Sequence, residues 1–348
     1  MHAALTLGCS GTLGLYNHPK SGFSVMRINR IREDDVTYWK TSAWGIFVAS
    51  TLVAAPACAD EPLFGYIYTT DTLPKDQSEV EQWVTLREGR SQGDFHLLQT
   101  RTEVSHGVTD NFQLSGYVNL AYANVKGNTP SGDTVPPEVF ADFASDPARR
   151  FSKARLESVS VEGIYRISSP YTNGVGVALY LEPSIGPRTR EMEARLILQK
   201  NFLDDKLVFA ANATLGYEWR KLLGDSSADP TSEEFVTHWD KETDVNFGFA
   251  GSYRFTSNWS VGGELQNERE WAGLNPFKAS SRTNQAWYLG PTMHYGGRHF
   301  FATFTTLFQM PWAKDYANPA AESFVVNGIT NADDFEKYRF RLKVGYYF

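Results

Sequence analysis

Cysteine is nearly absent. The chain carries two, Cys9 and Cys58, and everything after Ala59 is cysteine-free. That excludes a disulfide-stapled fold and removes thiolate from any metal site. No apolar run downstream approaches the roughly 20 residues a helical membrane span requires, so a helical bundle in lipid is excluded too. A basic excess is also lacking. Thirty-three Lys and Arg stand against 40 Asp and Glu, a net charge of −7, which argues against a nucleic-acid partner. The charges are interspersed, so there is no tail-like block. What is present is 42% hydrophobic and 14% aromatic residues, too much for a disordered chain.

One uncharged segment stands apart, from Trp44 to Pro56, with Arg27, Arg30, Arg32 and Lys40 before it and Ala57-Cys58-Ala59 after it. A positive flank, a short apolar core and an A-x-A site describe a secretory signal peptide cleaved after Ala59, with Ala57 and Ala59 as the small residues. The core is too short to cross a bilayer. The alternatives are a buried helix, or a lipoprotein in which Cys58 becomes the lipidated first residue. The flank is long and carries Glu33, Asp34 and Asp35, so Met26 is the expected start, with residues 1–25 an upstream extension. The expected organisation is therefore signal peptide 26–59, an N-terminal periplasmic or lumenal segment 60–76, and a barrel over 77–348.

The remainder alternates with period 2, the signature of half-buried strands. At the C-terminus Tyr338, Phe340, Leu342, Val344, Tyr346 and Phe348 share one face, against Arg339, Arg341 and Lys343 on the other. Comparable faces recur at Leu207–Trp219, Val245–Phe255 and Trp259–Leu265. The pattern predicts strands at 77–88, 94–106, 111–125, 152–167, 174–185, 190–200, 206–222, 241–255, 258–270, 282–295, 298–310 and 336–348. Within 152–167 the apolar set changes phase between Leu156 and Val159, which reads as a bulge. Short turns alternate with connections that are mostly long, as in a membrane barrel with a periplasmic and an outer side. The predicted fold is all-β: a transmembrane, antiparallel, up-and-down β-barrel of about 12 strands, with 10 or 14 as alternatives. In hydrocarbon only helices and closed barrels satisfy their own backbone.

The final strand, with Leu342, Val344, Tyr346 and Phe348, resembles the signal of outer-membrane proteins inserted by the barrel-assembly machinery. Tyr68-Thr69-Thr70-Asp71-Thr72-Leu73-Pro74-Lys75, with Glu79, Glu81, Gln82 and Trp83, resembles the opening of a family of uncharacterised Gram-negative outer-membrane barrels. Gly107–Gln113 (GVTDNFQ) is similar to the first periplasmic turn of that family and of porin-like proteins linked to phenol-degradation operons. The resemblance implies fold and location: the cell outer membrane, reached through the general secretory pathway. Implied partners are membrane lipid, lipopolysaccharide, periplasmic chaperones and the assembly machinery. It implies no activity.

With apolar faces toward lipid, the lumen receives Glu79, Glu81, Arg87, Arg101, Glu103, Arg155, Glu193, Arg195, Glu218, Arg220, Asp244, Arg254, Glu264, Glu268, Arg339, Arg341 and Lys343. Glu182, Glu191, Glu242, Glu270 and Arg282 share that face. Closure of the barrel is expected to set Glu79 and Glu81 beside the Arg339–Lys343 ladder, as opposite-charge cross-strand pairs. Two readings follow. Either these charges are ladders filling a narrow interior, or they line a channel for a small polar or charged solute. A structural or adhesive barrel is the alternative to transport.

Catalysis is not expected. His96, His106, His238, His294 and His299 lie in no nucleophile motif, and adjacent Ser105 and His106 point to opposite faces. Nor is a metal or other cofactor. The long connection 126–151 contains Val139, Phe140 and Phe143, more apolar than a free loop needs, so a short helix packed at the barrel mouth is expected. Leu63, Phe64, Tyr66, Ile67 and Tyr68 likewise need cover, which the lumen would provide.

Overall fold

The computed structural model describes residues 62–348 apart from 91, 225–228, 233–234, 277, 279–280, 313–322, 327–328 and 333–334. The expected extension 1–25, the signal peptide 26–59 and its cleavage residues Ala57 and Ala59 lie outside the described residues.

Twelve strands form one closed antiparallel barrel. They are β1 (Ser78–Glu88), β2 (Asp94–Thr109), β3 (Phe112–Lys126), β4 (Phe151–Ser168), β5 (Gly176–Ile185), β6 (Thr189–Phe202), β7 (Leu207–Leu222), β8 (His238–Arg254), β9 (Trp259–Ala272), β10 (Arg282–Gly296), β11 (Phe300–Gln309) and, beyond a small hairpin β12 (Ser323–Val326) and β13 (Ile329–Ala332), β14 (Tyr338–Tyr347). Each barrel strand pairs with its neighbours in sequence, and β14 joins β11 to β1. The hairpin, which the period-2 pattern does not announce, sits within the expected long connection.

Exposure splits each strand by parity. In β4 Val161 is 51% exposed and Glu162 1%; in β11 Phe304 is 49% exposed and Thr305 0%. The apolar faces point outward and the polar ones inward, the reverse of a soluble sandwich. Exposed aromatics gather at the ends, Tyr253, Phe255, Trp259, Tyr346 and Phe348 on the short-turn side, Trp239, Phe308 and Tyr338 on the other. Trp271 departs from this belt. It is 7% exposed, shut away near the long-loop end of β9, where the strand has run past the apolar band.

The phase change in β4 has a covalent cause. Asn119 of β3 faces Ser158 while the next residue, Leu120, faces Leu156, so Glu157 has no partner. One extra residue reverses every side chain beyond it, since side chains alternate with period 2. Leu156 and Val159 are thereby both exposed, while Ser158 turns inward.

Deleting Glu157 should therefore remove the bulge while leaving Leu156 opposite Leu120 and Ser158 opposite Asn119, so the heat-resistant folded band in electrophoresis should persist. Val161→Arg, on the lipid face in mid-strand, should cost about 2–4 kcal/mol in urea unfolding from bilayers.

Candidate functional site

Residues 62–73 run inside the barrel, along the short-turn half of its inner wall, and 74–77 turn at the rim into β1. Between Pro62 and Leu73 this stretch has no strand partner, so its N–H groups need side-chain acceptors. Glu264 on β9 accepts from Gly65 (2.7 Å), Tyr66 (2.8 Å) and Ile67 (3.1 Å), and from the Thr305 hydroxyl (2.8 Å). Asn212 on β7 brackets Tyr68, accepting its N–H at 2.7 Å and donating to its carbonyl at 2.9 Å. Gln199 accepts from Thr70 N (2.7 Å), and Gln113 accepts from Leu73 N (2.8 Å).

The wall is cut to receive the apolar side chains. Phe64 and Ile67 pack on Ala210 and Ala250. A Cβ on Gly248 would stand 2.1 Å from Ile67 Cδ1, so the glycine makes room for Ile67 in its present rotamer. Tyr68 packs on Ile164, Ala178, Tyr180 and Ile197. Ile197, which interrupts the polar face of β6, thus meets the segment rather than lipid.

At the opposite mouth the connection 127–150 folds onto the inner wall. A single 3-10 turn, Glu138–Phe140, buries Phe140 against Phe95, Leu97, Ala121, Ala123, Val125 and Phe151, all on the inward phase. Arg155 holds the turn through the Val139 carbonyl at 3.0 Å and through Asp142. Glu138 reaches across the mouth to Arg220 on β7.

The basic ladder lies inward, and of its members only Lys343 neighbours an expected carboxylate, Glu81. Register sets Arg339 opposite Arg87, Arg341 opposite Thr85 and Lys343 opposite Trp83. Glu81 faces Gly345 and Glu79 faces Tyr347, nearer the short-turn end than the ladder. Glu81 is therefore diagonal to Lys343 rather than directly opposite it, and the two interact electrostatically, while Arg339 and Arg341 find other partners. Arg339 instead pairs with Glu336 and Glu268 (2.8 Å), its guanidinium 3.8 Å over Tyr288, while Arg87 meets Glu336 at 2.9 Å. Arg341 donates to Thr85 Oγ1 (2.8 Å) and the Gly65 carbonyl (3.1 Å) and lies 3.7 Å over Tyr66. Lys343 Nζ is 3.8 Å over Trp83. A cation over an aromatic face recovers part of its lost hydration.

The other predicted charges form local pairs. Arg101 meets Glu182 at 2.9 Å and stacks over Tyr117 at 4.3 Å. Glu103 accepts from Ser105 (2.6 Å) and Tyr117 (2.9 Å). Arg195 pairs with Glu193 at 2.8 Å and covers Tyr68 at 4.4 Å. Arg220 joins Glu218 (3.1 Å) and Glu242 (2.7 Å).

Two predicted positions do other work. Glu264 is 0% exposed and consumed by the segment's N–H groups rather than offered to the lumen. Arg254 closes β8 at the turn, donating to the Asp205 carbonyl at 3.4 Å, because its strand ends there. Leu342, Val344, Tyr346 and Phe348 project outward, and Phe348 N donates to Ser78 O at 2.9 Å, closing the seam with β1.

Some groupings were not visible in the chain order. Asp244, Glu242 and Glu270 bring carboxylate oxygens within 4.8 Å of one another from β8 and β9. Ser78 Oγ stands 2.9 Å from His106 Nδ1 at the exposed short-turn rim, with β1–β2 pairing as the cause. The inward phase of Ile164, Ala178, Ile197, Ala210 and Ala250 was the available signal for a filled lumen.

Above the segment lies a chamber of about 300 Å³, lined by Tyr66, Ile67, Tyr68, Trp83, Arg101, Glu191, Arg195 and Arg341 among others. It shares Gln99, Glu157, Glu191 and Glu268 with an outer vestibule of about 310 Å³. Nine carboxylates against four guanidiniums line that vestibule, which makes it acidic. Ile67, Tyr68 and Trp83 line both the chamber and a pocket of about 50 Å³ on the short-turn side, so they form the narrowing between the two.

A closed barrel with an apolar exterior and a charged interior defines the class of outer-membrane β-barrels. Within it, the chain belongs to the Family of unknown function (DUF6662), whose model matches residues 56–348. None of the proteins of curated function matches it. Among solved structures, the COG4313 outer membrane channel from Pseudomonas putida F1 is similar at 10% identity and TM-score 0.51, covering 80% of this chain and 98% of that one. The translocator domain of autotransporter NalP from Neisseria meningitidis aligns at 8% identity and TM-score 0.45, over 78% of this chain and 87% of that one. The NanC porin aligns at 12% identity and TM-score 0.44, over 77% and 98%. The first of these likenesses bears on the fold alone.

Glu264→Ala would leave three N–H groups without acceptors, at about 1–3 kcal/mol each. In hydrogen-exchange mass spectrometry, amides 65–67 should exchange at least 100-fold faster, with strand amides unchanged.

Proposed function

We propose that the protein is an outer-membrane conduit for small polar or charged solutes, narrowed on its periplasmic side by its own N-terminal segment. The observation that carries this reading is the continuous polar cavity from the acidic vestibule to the floor at Ile67, Tyr68 and Trp83. A purely structural interior has no need of open volume between its charges. Twelve strands make a narrower barrel than the 16–18 of wide porins, so passage depends on the solute and on the segment's position. In this reading a signal peptide directs export, and Leu342, Val344, Tyr346 and Phe348 are read by the assembly machinery.

A structural barrel is the second reading, and the extensive mutual pairing of the lumen charges favours it. Planar-bilayer recording separates the two. The purified protein should show small, intermittent conductance, and a variant lacking residues 62–73 should show a several-fold larger, steady one. Silence from both forms, each inserted as a folded barrel, would refute transport.

A further inference from the structure

The lumen charges are mostly neutralised in pairs, and the exceptions are informative. Of the guanidiniums lining the chamber, Arg101 and Arg195 each hold a carboxylate, Glu182 and Glu193. Arg341 holds none among the described residues. Its Nε is taken by Thr85 and its Nη1 by the Gly65 carbonyl, which leaves Nη2 without a partner and open to the chamber. The fixed stack on Tyr66 keeps that edge in place.

The complementary exception stands across the lumen. Glu191 on β6 lines both chamber and vestibule and makes no hydrogen bond or ion pair among the described residues. In the barrel order, five strands lie between β6 and β14 in either direction, so the two charges occupy opposite walls. The wall beside Glu191 is built to hold negative charge. On the intervening strand β7 stands Gly216, where a Cβ would lie 3.5 Å from Glu191 Oε1 and 3.6 Å from Asp244 Oδ2. The absent side chain lets the two carboxylates converge, and Asp244 likewise has no hydrogen bond or ion pair among the described residues.

We propose that the chamber binds a small zwitterion of amino-acid or dipeptide size, its carboxylate on Arg341 and its ammonium on Glu191, where chamber and vestibule meet. A guanidinium edge and a carboxylate form charge-assisted hydrogen bonds, stronger than neutral ones. An unpaired charge in a confined interior is costly, and a solute with both signs relieves both walls at once. A monoanion satisfies Arg341 but meets the acidic vestibule; a monocation leaves Arg341 alone. The volume, about 300 Å³, lies at the lower end of small-molecule sites, which fits a short ligand. Arg341 also clamps the segment through Gly65, so a carboxylate arriving there competes with that carbonyl. This inference names the solute class of the conduit proposed above and rests on that reading for its biological role, though not for its measurement.

Isothermal titration calorimetry tests it, using the protein exported from the full chain and purified in detergent. The probes are glycylglycine, N-acetylglycine, which is only an anion, and glycinamide, which is only a cation. Glycylglycine should bind at least tenfold more tightly than either. Arg341→Gln and Glu191→Gln should each reduce it to their level, and heat-modifiable mobility checks that both variants fold. Glu191→Gln touches no residue of the segment, so its loss of affinity separates ligand contact from a loosened segment. Equal affinity for the three probes, no binding of glycylglycine, or wild-type affinity in folded Glu191→Gln would overturn the site. Because binding in micelles needs no current, a silent bilayer with selective binding refutes conduction alone. Conductance without selectivity refutes this site alone.

Discussion

Everything in this structure depends on one constraint: in hydrocarbon, a backbone N–H or C=O must find its partner within the protein. The strands meet it by closing on themselves, and the seam between β1 and β14 is where the last edge disappears. Closure then dictates the side chains. With one face on lipid and one on the lumen, each strand alternates apolar and polar residues, and even the bulge at Glu157 is a device for keeping that alternation correct. The same constraint reappears inside the barrel. A segment without strand partners lies against the wall, and the wall satisfies it with Glu264, Asn212, Gln199 and Gln113.

Charge in the lumen follows a related logic. A narrow interior with low-dielectric walls penalises an isolated ion, so most cations there hold a carboxylate, an aromatic face or both. Arg101 between Glu182 and the rings of Tyr117 and Trp83 shows the pattern in full. Against that background, a residue that lacks an opposite charge is informative. The acidic vestibule and the Arg341 edge above the segment give the interior a polarity that no count of charges along the chain reveals. An even mix of signs in sequence becomes separated walls in space.

The strand positions were legible because period 2 is a local property, imposed on each strand by lipid on one side. The apolar run in Leu207–Trp219 needs no knowledge of its neighbours to be read. The phase slip between Leu156 and Val159 was legible for the same reason, since a bulge writes itself into the order of side chains. Ile197 was visible as an exception but not explicable, because the residue it covers, Tyr68, is far away in sequence. The same holds for Gly248, whose missing Cβ makes room for Ile67.

The sequence by itself determined the barrel and the inward face on which most of its charges lie, since those follow from alternation and turn spacing alone. Only the tertiary structure decided which charges meet. Register across the β1–β14 seam leaves Glu81 on the diagonal to Lys343 and sends Arg339 to Glu268 and Glu336. It also decided that Glu264 serves the segment, not the solute, and that Arg341 and Glu191 stand unpaired across one chamber. Pairing in a closed barrel depends on stagger between strands distant in sequence, and alternation carries no record of stagger.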